Sequence, residues 1–254
     1  MSVKKITEIQ KEYKETSLEF LPDFINQYIA DGRPGVSKII SQAQKKMEKL
    51  RLERERIEKL KEFENKYWDS YDYIGGIDEV GRGPLAGPVV TSCVILPKGC
   101  DILYINDSKK LSATKREELY DEIMEKAISV SIGVVSEKRI DEINILQATY
   151  EAMRQAIEEA KVEPQILLND AVTIPGIDIK QVAIIKGDAK SITIGAASII
   201  AKVTRDRMMV EYDKLYPEYN FASNKGYGSA EHIEALKKYG PCPIHRRSFI
   251  GNFV

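Results

Sequence analysis

Two apolar runs, Tyr73-Ile74-Gly75-Gly76-Ile77 and Val89-Val90-Thr91-Ser92-Cys93-Val94-Ile95-Leu96, flank the segment Asp78-Glu79-Val80-Gly81-Arg82-Gly83-Pro84-Leu85-Ala86-Gly87-Pro88. This order reads as a strand that ends in two carboxylates, a tight glycine corner, and a second strand. So short a connection suits antiparallel pairing of the two strands. Adjacent acids at a strand end repel one another and resist desolvation unless something neutralises them. A hard divalent cation is the commonest remedy.

Beyond this corner, apolar runs alternate with helical patterns. Strands are expected at 73–79, 88–96, 130–135, 165–169 and 182–186. Helices are expected to open at Ser112 or Thr114, to cover 138–160, and to run from Ile192 to Tyr216. The later strands are separated by helices, which suits parallel pairing. The expectation is an α/β fold, a mixed five-stranded sheet flanked by helices, over residues 73–254. Residues 1–70 differ: they are rich in Lys, Glu, Arg and Gln and read as a helical N-terminal extension. Asp31-Gly32-Arg33-Pro34-Gly35 marks a corner between two of its helices, and Arg54 interrupts an apolar stripe that starts at Val36. The extension carries no recognisable chemistry. A solvated amphipathic hairpin is the simpler reading, and a surface for a protein partner or a duplex backbone the sharper one.

Charge excludes a global pull on a polyanion, because 38 basic and 39 acidic residues leave a net charge of -1. A nucleic-acid site on this chain has to be a local patch. Cys93, Cys100 and Cys242 show neither CxxC nor zinc spacing and read as reduced thiols, with Cys93 a core residue. No apolar stretch approaches the roughly 20 residues of a membrane helix. The N-terminus turns polar too early for a secretory leader. A cytoplasmic protein without membrane contact is the expectation.

Four acids occupy comparable places. Asp78 and Glu79 end the first strand, Asp170 ends Gln165-Ile166-Leu167-Leu168-Asn169, and Asp188 follows Val182-Ala183-Ile184-Ile185-Lys186-Gly187. Sites in α/β sheets collect outside the carboxyl ends of strands, so these positions can converge on one rim. Carboxylates without His or Cys favour Mg2+ or Mn2+ over zinc. Taken singly, Asp170 or Asp188 reads as a helix cap or a solvated acid; the four together point to a metal site. Lys109, Lys110, Lys186, Lys190, Lys202, Arg205, Lys225, Arg246 and Arg247 cluster near the acids in sequence and together could line a phosphate track. Ser198 and Lys202 lie one helical turn apart on one face. His245 offers a metal ligand or a general base, but with only two histidines and no local acidic partner in view a structural or phosphate-contact role is the favoured reading.

The segment from Asp78 to Pro88 resembles the signature of the type 2 ribonucleases H, specifically ribonuclease HII. Asp107-Ser108-Lys109-Lys110-Leu111-Ser112, Lys186-Gly187-Asp188-Ala189, the run from Ala196 to Asp206, Lys225-Gly226-Tyr227-Gly228 and His245-Arg246-Arg247-Ser248-Phe249 match in the expected order. Arg82 between two glycines separates the chain from the sister ribonuclease HIII. Asn169, where the family usually has an aliphatic residue, and Gly195, where it usually has alanine, are departures. The resemblance implies a ribonuclease H-like fold and a metal-dependent endonuclease, using Mn2+ or Mg2+ in a two-metal-ion mechanism. Its substrates would be RNA–DNA hybrids and duplex DNA carrying embedded ribonucleotides. That DNA would be nicked on the 5′ side of the ribonucleotide, leaving a 3′-hydroxyl and a 5′-phosphate.

By resemblance, Asp78, Glu79, Asp170 and Asp188 are the catalytic and metal-binding acids. Gly81, Arg82 and Gly83 read the ribose, and Tyr227 packs against the ribonucleotide–DNA junction. Lys109, Ser198 and Lys202 complete the expected substrate contacts, and a monomer is expected. Two other functions fit the residues less well. A strand-transfer nuclease on the same fold has no need of a ribose-sensing loop, and a non-catalytic nucleic-acid module has no need of four acids.

Overall fold

A computed structural model describes residues 4–254. The chain divides into two compact units, Met1–Glu58 and Lys59–Val254. In the first, α1 (Ile6–Glu15), α2 (Leu21–Tyr28) and α3 (Pro34–Leu60) bury Ile9, Leu21, Phe24, Val36, Ile39, Ile40 and Ala43 against one another. The expected corner is present. The Asp31 carboxylate accepts from the Arg33 amide (3.1 Å) and guanidinium (2.9 Å), which holds the chain between α2 and α3. Arg54 does not break α3, whose surface carries ion pairs such as Arg51–Glu48 and Arg56–Glu53.

The second unit opens with α4 (Glu62–Tyr67). It continues with β1 (Ile74–Val80), β2 (Val89–Ile95), α5 (Ala113–Lys126), β3 (Ser129–Val135), α6 (Glu137–Glu158), β4 (Ile166–Asp170), β5 (Lys180–Ile184) and α7 (Ile192–Leu215). Three short helices follow: α8 (Phe221–Asn224), α9 (Ala230–Tyr239) and α10 (Arg247–Ile250). The strands form one sheet in the order β3-β2-β1-β4-β5. Serine hydroxyls set the helix starts: Ser112, Ser136, Ser191 and Ser229 each accept from the amide three residues on. Ser112, not Thr114, is the cap of α5.

Alternation along β1 gives the sheet two different faces. Ile77 points to the α6 side, with Cys93, Met153, Ile157 and Leu167. Ile74 points to the other side, where Trp68, Ile166, Leu168, Ile184 and Ile194 gather together with Phe63 and Tyr67 of α4. Gly76 lies on that second face. A Cβ there would stand 2.2 Å from the carbonyl carbon of Thr193, so only glycine lets the first turn of α7 lie directly on β1. The close approach brings α7 alongside Asp78, two residues further along the same face.

Three expectations change. β3 pairs antiparallel with β2, although α5 lies between them in sequence. Ile95 and Ser129 are direct partners, so the α5 excursion leaves and re-enters at the same end of the sheet and makes no crossover. The segment read as one helix over 138–160 is broken at Asn144, where φ is 67°. Its side-chain oxygen accepts from the amides of Leu146 (3.0 Å) and Gln147 (3.1 Å) and so caps a second helical segment. β5 begins at Lys180, earlier than its apolar run, because it is a half-exposed edge strand. None of the described helices is long and apolar enough to cross a membrane.

Candidate active site

Ile77 and Asn169 are register partners in the parallel pair β1–β4, so Asp78 and Asp170 come next to each other on the α7 face. Asp78 is buried there. Burial, then the adjacent Glu79, then Asp170 push its carboxyl well above the usual carboxylate range. Hydrogen bonds from the Ser198 hydroxyl and from the Glu79 amide (2.8 Å) oppose that rise. Ser198 also meets the Ser108 hydroxyl at 2.9 Å, so a chain of two serines from different segments pins Asp78. Glu79 turns toward Arg82 (3.3 Å) and is pushed up mainly by burial, with Arg82 and Lys109 pulling it down.

Asp170 Oδ1 accepts from the Gly187 amide at 2.7 Å, which ties the end of β4 to the turn that carries Asp188. The half-buried Asp188 is raised by burial first, then by Asp107 and Asp170. The four sequence-predicted acids therefore feel one another's charge at one edge of the sheet. Asp107 is a fifth member that the sequence reading passed over, since an acid opening a short turn reads as a cap. It does cap, accepting from the Lys109 amide (3.0 Å), and its charge also reaches Asp188. Lys109 is exposed, and its charge acts on both Glu79 and Asp188. Among the described residues, no three His, Cys, Asp or Glu side chains stand ready-made around one ion. The carboxylates are instead engaged by the donors just named.

The glycine corner is held from beneath by two arginines. Gly81 has φ 93°, which an L side chain rarely adopts, and a Cβ there would strike the Arg205 guanidinium. Arg205 and Arg246 are fully buried. Arg205 donates to the carbonyls of Pro88 (2.9 Å), Ala86 (3.0 Å) and Lys225 (2.8 Å). Arg246 donates to those of Gly81 (2.6 Å), Arg82 (3.1 Å) and Gly87 (2.9 Å). This corrects the phosphate-track reading for both: they staple the loop and cannot reach a strand. The loop's own Arg82 and Gly83 are exposed. A Cβ at Gly83 would lie 3.9 Å from the Tyr227 ring, so the structure brings the Gly-Arg-Gly loop and Tyr227 together. Lys202 is paired with Asp206 at 2.6 Å on its own helix, with Arg116 3.9 Å from the same carboxylate.

Glu64 also escaped the sequence reading. It is buried, and its Oε1 accepts from Ser191 Oγ (2.5 Å), the Thr193 amide (3.0 Å) and Thr193 Oγ1 (2.7 Å). It thus fixes the start of α7 just after Asp188. A charged residue in a Lys- and Glu-rich stretch gives no signal of burial.

A mixed five-stranded sheet with acids at the carboxyl ends of neighbouring parallel strands, beside a glycine loop, defines the ribonuclease H-like class of hydrolases. Residues 75–252 match the family model for ribonuclease HII, and residues 5–68 match that for the ribonuclease HII N-terminal domain. The chain is 64% identical over 250 residues to ribonuclease HII of Lachnoclostridium phytofermentans, covering 98% of each. It is 51% identical over 255 residues to that of Clostridioides difficile, covering 100% of each. The crystal structure of ribonuclease H2 from Pyrococcus horikoshii superposes with a TM-score of 0.57 at 30% identity, covering 69% of this chain and 93% of that one. The chain belongs to the ribonuclease HII family, endonucleolytic hydrolases that cleave RNA in RNA–DNA hybrids.

Proposed function

We propose that Asp78, Glu79, Asp170 and Asp188 hold divalent cations, Mn2+ or Mg2+, for hydrolysis of a phosphodiester on the 5′ side of a ribonucleotide in a hybrid or in duplex DNA. The supporting observation is the buried Asp78, which feels the charges of Glu79 and Asp170 and, among the described residues, has no cationic side chain bonded to it. An all-oxygen donor set of this kind fits a hard cation and not zinc. Asp170 and Glu79, now bonded to the Gly187 amide and Arg82, would hold the ion together with Asp78 and Asp188. Bound there, two such cations would supply Lewis acidity on both the attacking and the leaving side of the phosphorus and leave a 3′-hydroxyl and a 5′-phosphate.

The chain's own residues do the selecting. Gly81, Arg82 and Gly83 present backbone groups to the 2′-hydroxyl, the one group that separates ribose from deoxyribose. The exposed Tyr227 ring beside Gly83 packs against the sugar or base on the DNA side of the junction. Lys109, whose charge already reaches Glu79 and Asp188, balances the site against a scissile phosphate. Ser198 keeps Asp78 oriented. The protein acts as a monomer in the cytoplasm on ribonucleotide-containing duplexes.

The test is a DNA duplex with one ribonucleotide, incubated with chelator, with Mg2+ and with Mn2+. Cleavage is expected with metal only, at the 5′ side of the ribonucleotide, with a 3′-hydroxyl on the upstream product. Metal-independent cleavage, or a 3′-phosphate, would remove the reading.

A further inference from the structure

Beneath Tyr227 lie two fully buried imidazoles, His232 of α9 and His245, whose Nε2 atoms are 3.0 Å apart. Their protons are assigned by their outer neighbours. The Tyr227 carbonyl can only accept, so His232 Nδ1, 2.8 Å away, carries a hydrogen. The Cys242 amide donates to His245 Nδ1 at 3.0 Å, so that nitrogen carries none. His245 must then donate from Nε2 to the bare Nε2 of His232. The result is one directed chain, Cys242 N–H to His245 to His232 to the Tyr227 carbonyl, in which both rings are neutral and every position is used. Burial agrees with that state, since it lowers His232 and pushes His245 down to about 4. Tyr219 and Phe221 pack edge-on against the pair.

This chain joins the two halves of the substrate-reading surface. One end is the carbonyl of Tyr227 itself. Toward the other end, at the Cys242 amide, the chain passes through His245, which sits in the segment 244–246 that is laced to the glycine corner. The Gly87 amide donates to the Ile244 carbonyl (2.9 Å), the Arg246 amide to the Leu85 carbonyl (2.9 Å), and the Arg246 guanidinium to Gly81 and Arg82. Other bonds join the two loops at their base, Leu85 to Gly226 and Arg205 to Lys225. The Tyr227 carbonyl also accepts from the Ser229 amide (2.8 Å), and the Tyr227 ring lies 6.0 Å from the Arg205 guanidinium; the imidazole pair adds a side-chain link from that carbonyl to the segment beside the glycine corner.

We propose that His232 and His245 are positioning residues that set the placement of Tyr227 relative to Gly81-Arg82-Gly83, and thereby the enzyme's preference for a single ribonucleotide–DNA junction over a continuous hybrid. This rests on Tyr227 reading that junction. The linkage needs a donor at the Nε2 position of residue 245, which a glutamine amide supplies and a phenyl ring does not. A purely packing role asks for the opposite, because phenylalanine keeps the contacts with Tyr219 and Phe221 and glutamine puts an amide among them.

The experiment measures kcat/KM of the full-length wild type, Tyr227→Ala, His245→Phe and His245→Gln on a duplex with one ribonucleotide and on a continuous hybrid, with a thermal melt of each variant. His245→Phe is expected to lose about tenfold more on the single-ribonucleotide duplex than on the hybrid, the size of one lost buried hydrogen bond, and His245→Gln to stay within about threefold of wild type. If Tyr227→Ala loses equally on both substrates, the junction reading itself fails. If Tyr227→Ala is selective but His245→Phe is not, or if the Gln variant is worse than the Phe variant, the positioning role is overturned. Should His245→Phe fail to fold, His232→Asn keeps an amide donor for Tyr227 and drops the bond to His245. The same selective loss is expected of it, and an equal loss on both substrates overturns the proposal.

Discussion

Asp78 is a desolvated carboxyl beside two others, and that placement gives it opposite effects on function and on stability. Its folded pKa lies well above the unfolded value, so it favours the fold below about pH 4 and opposes it increasingly as pH rises through the raised value. Asn at this position keeps an oxygen for Ser198 and the Glu79 amide and removes the charge. Asp78→Asn is therefore expected to cut cleavage by about 10²–10³-fold or more. It should also raise the melting temperature of chelator-treated protein near neutral pH, by about 2–4 °C for each kcal/mol relieved. Cleavage that survives would remove Asp78 from the metal-binding set, and a melt that falls would mean that its buried charge does not oppose the fold. The shared placement of the four acids at one sheet edge was legible because each follows closely on an apolar run. The burial of Arg205 and Arg246 was not, because nothing local in sequence distinguishes a guanidinium bonded to three backbone carbonyls from one in water. Asp107 was hidden by its second role as a cap, and His232 because its partner, His245, lies in a different segment.

Among the elements, α7 does the most to organise the site. It carries Ser198, starts just after Asp188, and its first turn rests on Gly76 while Glu64 grips Ser191 and Thr193. The contact at Gly76 is backbone to backbone, so no side chain can give way. Gly76→Ala is expected to destabilise the protein by about 1–3 kcal/mol or more, read from the urea midpoint. It should also lower kcat on every substrate alike, since Asp78 and Ser198 move apart together. An unchanged midpoint would mean that α7 does not rest on β1 as described. Strands β1, β2 and β4 were legible because continuous apolar runs with glycine or proline boundaries mark strands buried on both faces. The β2–β3 pairing was not, because a helix between two strands normally signals a crossover. Only the register of Ile95 with Ser129 reveals the return to the same end. The break at Asn144 was also hidden: helical periodicity continues on both sides of it, and one residue in the left-handed region leaves no mark on that pattern.

At the scale of the whole molecule, 38 basic residues against 39 acidic give no net attraction to a duplex. Binding must come from the cations that remain exposed around the site. Removing the buried Arg205 and Arg246 and the paired Lys202 from the nine suggested by sequence leaves a shorter list. Lys109, Lys110, Lys186, Lys190 and Arg247 are exposed, as is Arg82 of the glycine loop, while Lys225 turns its ammonium back to the Ala222 carbonyl. Each phosphate neutralised adds about 0.9 to the slope of log affinity against log salt. Six cations therefore bound the slope for a hybrid at about −5, shallower than nine would give. Lys109→Ala is expected to reduce the slope by about one and to weaken binding to ribonucleotide-containing and all-DNA duplexes alike, because a phosphate contact carries no sugar identity. A measured slope well beyond that bound would mean that cations outside this set, on the N-terminal helices for instance, also touch the duplex. The same titration on a chain lacking residues 1–58 would then lose the excess.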